Sequence, residues 1–157
     1  RLLHSYDVAR GGDGTAALAA AIEHMGEVLA LPAALVKPPT PAWVAVVLVR
    51  RAKLLAERAD LLLRNALFGT SVAGADQLYK AAVDDLTRVA KLKPPPPRPL
   101  LGEALLCRGQ LEGRVGRKRA LADLAAASAL LATDARPYMA RGMLLEGQGE
   151  HCAALGE

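Results

Sequence analysis

The chain has 157 residues, enough for one compact domain or for three to four small repeat units sharing a continuous core. Apolar residues make up 52% and aromatics only 3%, with Ala and Leu together roughly two-fifths, a mixture of helix formers that predicts an all-α fold. The net charge of +4 comes from 20 basic and 16 acidic residues that are interspersed, so composition does not signal nucleic acid, and two distant cysteines, Cys107 and Cys152, signal neither a disulfide framework nor a zinc site.

The chain begins without Met or a signal-peptide pattern and ends inside an unfinished helical pattern. It is therefore expected to be a piece of a longer, intracellular protein; organellar, ciliary and cytosolic locations all stay open. The first helix is predicted at Thr15 to Leu31, behind the cap-like "GGDGT", with Leu18, Ile22, Met25 and Leu29 recurring at three- and four-residue steps. "PAALVKPPTP" from Pro32 to Pro41 has too many prolines to continue it and reads as a linker. A second helix is predicted from Ala42 towards Leu67, with a break near Ala59 and Asp60. Its apolar run "AWVAVVLV" stops at Arg50 and Arg51, well short of the roughly 20 residues that span a bilayer, so no membrane span is expected.

"FGTSVAGAD" from Phe68 to Asp76 reads as a loop with Asp76 as the cap of a third helix. In that helix Leu78, Ala82, Leu86, Val89 and Leu92 share a face, which sends Asp84 and Asp85 to the solvated side. "KPPPPRP" from Lys93 to Pro99 stops it and serves as a rigid spacer. Beyond it come helical segments at Leu100 to Glu112, Lys118 to Leu131, Arg136 to Glu146, and one beginning near His151. They form two helical hairpins in tandem, because Gly109 and Gly116 recur 33 residues later as Gly142 and Gly149.

No chemistry-bearing constellation emerges. "GMLLEGQG" is not a phosphate loop, since it follows no strand and has neither GxGxxG nor GxxxxGK[ST]. His151 and Cys152 are adjacent helical residues that point apart, with no further metal ligand or catalytic partner at useful spacing. No catalytic residue, metal or cofactor is predicted. Trp43, early in its helix, reads as a packed anchor. The one basic cluster, Arg114, Arg117, Lys118 and Arg119, falls at a hairpin turn where it could touch phosphate or an acidic partner. No aromatic is interleaved to stack on bases, which makes RNA binding the second reading.

The spacing of small residues resembles that of the tetratricopeptide repeat family, whose 34-residue unit is an antiparallel helix pair. Gly142, Gly149, Glu150 and Ala154 match the family's positions 8, 15, 16 and 20 in the last unit. Gly109, Gly116, Ala120 and Ala127 match positions 8, 15, 20 and 27 in the unit before it, with a one-residue deletion in the turn and Arg117 where an acidic residue is usual. An earlier unit has Ala52, Ala82, Val89 and Pro94 at positions 8, 20, 27 and 32, with an insertion between its helices. Each first helix carries Arg before the small residue, at Arg51, Arg108 and Arg141. Ala21 and Val28 could mark the second helix of a still earlier unit.

The resemblance implies a right-handed superhelical solenoid of antiparallel helix pairs. Its divisions are an N-terminal helical segment with linker (1–41), a degenerate repeat with an insertion near 60–77 (42–94), a spacer (95–99), a repeat (100–134) and the start of another (135–157). Small residues at positions 8, 20 and 27 let backbones approach, and Gly142 is expected at such a contact. The resemblance further implies a non-enzymatic scaffold for protein–protein interaction, an assembly factor or subunit of a larger complex, with a peptide or helix in its concave groove. Carried over, the groove positions are Glu103, Leu106, Gln110, Gly113 and Arg114, then Arg136, Met139, Met143, Glu146 and Gly147. Leu106, Met139 and Met143 would form an apolar floor. The clamp with which some relatives hold acidic chaperone tails is missing, because Val49, Leu106 and Met139 stand at the matching position 5.

Overall fold

The computed structural model describes residues 14–30, 40–66, 74–114 and 119–147. Among the described residues all regular structure is helical: α1 (Gly14–Ala30), α2 (Pro41–Ala66), α3 (Ala75–Ala90), α4 (Arg98–Arg114), α5 (Arg119–Leu130) and α6 (Arg136–Gly147). No described helix is long and apolar enough to cross a membrane. The linker at 32–39, the cap "GGD" and the helix expected near His151 lie outside the described residues. The chain divides into two compact units, Arg1–Asp85 and Leu86–Glu157, with the division falling inside α3.

In the first unit α1 packs on α2, burying Leu18. The start of α2 is set by Thr40, whose Oγ1 accepts the Trp43 N–H at 3.2 Å, and by Pro41 at the first helical position, where a missing N–H leaves nothing unsatisfied. Ala45, Leu48, Ala52, Leu55 and Ala59 then recur at alternating three- and four-residue steps as one buried stripe, with Val49 beside it. The break expected near Ala59 and Asp60 does not occur. No Gly or Pro interrupts the backbone hydrogen bonds there, Ala59 is fully buried, and the Asp60 carboxylate accepts a hydrogen bond from the Tyr79 hydroxyl of α3. Trp43, expected as a packed anchor, stays 41% exposed, because Ala45 and Leu48 are the residues turned inward.

Gly74 precedes α3 with φ of 108°, a left-handed backbone that favours glycine, and its carbonyl accepts the Leu78 N–H. Asp76 is therefore inside the first turn, not at the cap; there its charge complements the positive end of the helix. In this unit α3 buries Ala75, Tyr79, Ala82 and Val83.

In the second unit α4 and α5 form an antiparallel pair, since Gly102 faces Leu130 and Leu131 while Gly109 faces Leu124 and Ala120. The pair comes together because both glycines lack side chains. A Cβ at Gly102 would sit 2.7 Å from Leu131 Cγ, and one at Gly109 would sit 2.8 Å from Leu124 Cγ and 3.1 Å from the Ala120 carbonyl oxygen. The core of this unit is Leu106, Leu124 and Ala127, with Leu105, Leu131, Ala140 and Leu144 packed against it. α6 joins through Ala140 and Leu144 and buries Pro137 and Leu145. A Cβ at Gly142 would meet nothing within 4 Å among the described residues; the helix it is expected to contact begins near His151, outside them.

Candidate functional site

Two interhelix ion pairs form the polar framework. In the first unit Arg51 of α2 donates from Nε and Nη2 to both carboxylate oxygens of Asp85 on α3, at 2.6 and 2.5 Å. In the second, Arg108 of α4 donates to both oxygens of Asp123 on α5, each at 2.6 Å, and from Nη1 to Thr87 Oγ1 at 3.3 Å. The hydrogen bonds they donate to the carboxylates hold both guanidiniums above their ordinary pKa, against the opposing pull of burial.

Asp85 is thus a correction to the sequence reading: Asp84 is solvated, but Asp85 is only 2% exposed. The adjacent carboxylates point about 100° apart on the helix, which is enough to place one in water and the other against Arg51. The two pairs share the same offsets from small residues. Arg51 precedes Ala52 and Arg108 precedes Gly109, while Asp85 follows Ala82 by three residues and Asp123 follows Ala120 by three. Arg141, one residue before Gly142, has Glu157 at the matching place three residues past Ala154, and Glu157 lies outside the described residues.

The residues expected to line a groove divide sharply. Glu103 on α4 and Arg136 on α6 meet, with Arg136 Nη2 at 2.9 Å from Glu103 Oε2 across 33 residues of sequence. Asp134 accepts from the Arg136 backbone N–H at 2.9 Å and from its guanidinium at 2.6 Å, tying the start of α6 to the same charge. These bonds, the side-chain one first, hold Asp134 below the usual carboxylate pKa, and both carboxylates raise that of Arg136. Farther along, a Cβ at Gly113 would lie 3.3 Å from Leu144 Cδ1. α4 and α6 consequently run side by side in the same direction.

Met139 and Met143 stand one turn apart on α6 and are 63% and 71% exposed. Gln110, Arg114, Glu146 and Gly147 are also exposed. Leu106 does not join them: it is 1% exposed and offers a partner no surface. It lies four residues after Gly102 and three before Gly109, so it shares the face of α4 that meets α5. The apolar floor therefore reduces to the two methionines, with Tyr138 half-exposed beside them.

Of the basic cluster, Arg114 closes α4 and Arg119 opens α5, both exposed, while Arg117 and Lys118 are outside the described residues. One buried carboxylate went unnoticed in the sequence. Glu112, 3% exposed, sits one turn after Arg108, and its Oε2 has no hydrogen-bond partner among the described residues. Among the described residues no group of three or more His, Cys, Asp or Glu is placed to hold a metal ion. No family model matches the chain, and no curated protein or solved structure is significantly similar to it.

Proposed function

We propose that the chain is a non-enzymatic helical-repeat scaffold that holds a segment of a protein partner against the paired faces of α4 and α6. The carrying observation is the exposure of Met139 and Met143 on one stripe of α6, in a unit whose leucines are otherwise largely withdrawn into the core. Flexible, polarisable methionines suit an irregular apolar partner. They are framed by Arg136, held by two carboxylates, at one end and Glu146 at the other, an apolar centre with a polar rim.

The likeness to tetratricopeptide repeats is part of the same proposal. In that reading successive helix pairs stack as a right-handed solenoid, and α4 and α6 are the first helices of neighbouring repeats. Recurrence of the Arg–Asp pair at the same offsets from neighbouring small residues in both units, and the 33-residue step between Glu103 and Arg136, support the register. Membership of an assembly factor or larger complex follows as a role, with no enzyme activity of its own.

The experiment is photo-crosslinking from position 143 of the full chain in native extract, read by mass spectrometry. A discrete protein adduct that disappears when Met139 is replaced by Lys supports the scaffold. Adducts indifferent to that substitution, or none, would remove the basis for it.

A further inference from the structure

Met139, Met143 and Glu146 lie at i, i+4 and i+7 of α6, a stripe about 10 Å long at 1.5 Å per residue. The two ends of this stripe differ electrically. Arg136, one turn before Met139, has its guanidinium shared by Asp134 and Glu103. Glu146, one turn after Met143, is exposed and has no ion-pair partner among the described residues. A ligand lying on the methionines therefore meets a satisfied charge at one end and an uncompensated carboxylate at the other.

Resting on the docking face proposed above, we infer that its occupant is an amphipathic helix of a protein partner carrying two apolar residues one turn apart and a lysine or arginine one turn farther on, the apolar pair covering Met139 and Met143 and the cation meeting Glu146. A helix matches the axial spacing because its own one-turn repeat equals that of the stripe. No described strand edge is present to recruit an extended segment instead. The cation serves orientation and selectivity more than strength, because a solvent-exposed pair is weak and screened by salt.

The test uses the full chain and a phage-displayed library of helical 16-residue peptides, followed by fluorescence anisotropy of the selected peptides. The selected sequences are expected to share an apolar pair one turn apart with a basic residue one turn beyond. Met143→Lys should abolish their binding, and Glu146→Lys should weaken it about five- to tenfold at low salt, with the gap closing at high salt. Binding lost in Met143→Lys but unchanged in Glu146→Lys overturns the basic helix and leaves the docking face standing. Binders insensitive to both substitutions, or no binders, overturn both. Sedimentation that shows self-association of the native chain, abolished by Met143→Lys, would give the face to a second copy and refute a heterologous helix.

Discussion

Arg108 and Asp123 provide the most demanding check on the packing of the second unit. Arg108 is 8% exposed and Asp123 5%, so removing either leaves the other charge without its main partner in a nearly dry site. Such an orphan typically costs about 3–5 kcal/mol. The two single substitutions should not cost the same. Asp123→Leu leaves the guanidinium with Thr87 Oγ1 and the favourable charge of Glu112, so its cost belongs at the lower end, about 3 kcal/mol. Arg108→Met strands two carboxylates, Asp123 and Glu112, and should cost about 5 kcal/mol. The double variant, with both charges replaced by apolar groups of similar size, should recover most of the loss and retain only the roughly 2 kcal/mol that Glu112 costs without Arg108. Urea unfolding followed by circular dichroism at 222 nm measures all four corners, and the coupling energy should exceed about 3 kcal/mol. Single substitutions that each cost less than about 1 kcal/mol would mean that water screens the pair and the burial argument is wrong. The matching cycle at Arg51 and Asp85 should show a smaller coupling, about 1–3 kcal/mol, because the Arg51 side chain is 22% exposed.

Close helix approach makes a graded prediction: Gly109→Ala should destabilise by about 1–3 kcal/mol despite its better helix propensity, because the Ala120 carbonyl cannot swing aside, whereas Gly113→Ala meets only a movable Leu144 methyl and should be neutral or stabilising. Thermal melts of the two variants check it, and a Gly109→Ala chain more stable than the native one would refute the contact. Thr40→Ala should cost about 1 kcal/mol through loss of the cap on α2, read as fraying of that helix by hydrogen exchange. Asp134 has its folded pKa below the ordinary 3.8, so the stability it confers is fully present above that value and is lost as pH falls through the lowered one; carboxyl-carbon NMR titration should find its midpoint below 3.8. Met139→Lys together with Met143→Lys should leave the unfolding midpoint within about 0.5 kcal/mol of native while removing partner binding; a large loss of stability would mean that the methionines are core, not surface.

How far the sequence could be read depended on what each signal measures. Helix limits were legible because prolines and glycines act through the local backbone: Pro41 opens α2, the proline run before Arg98 separates α3 from α4, and the predicted Arg136–Glu146 differs from α6 by one residue. Buried faces were legible where a helix is covered on one side, as in the stripe from Ala45 to Ala59. α4 resisted the same reading because it meets α5 and α6 on different sides, which buries Ala104, Leu106, Arg108, Leu111 and Glu112 around much of its circumference. The resemblance carried Leu106 to the groove, and α4 has no single polar face that would have returned it to the core.

Charges were the least legible, because hydrophobic periodicity treats every Asp and Arg as surface, and Asp84 cannot be told from Asp85 by type. A usable signal was nevertheless present in the pairing of two short patterns, Arg followed by a small residue in one helix and a small residue followed three positions on by Asp in the next. Either pattern alone is too common to interpret. Their joint recurrence, as Arg51–Ala52 with Ala82–Asp85 and Arg108–Gly109 with Ala120–Asp123, links position to function: the small residues let the helices approach, and the approach excludes water from charges one and three residues away. Equal connecting lengths are unnecessary for this, since the pairs are 34 and 15 residues apart in sequence. The quantity shared by the two units is thus the local geometry of the helix contact.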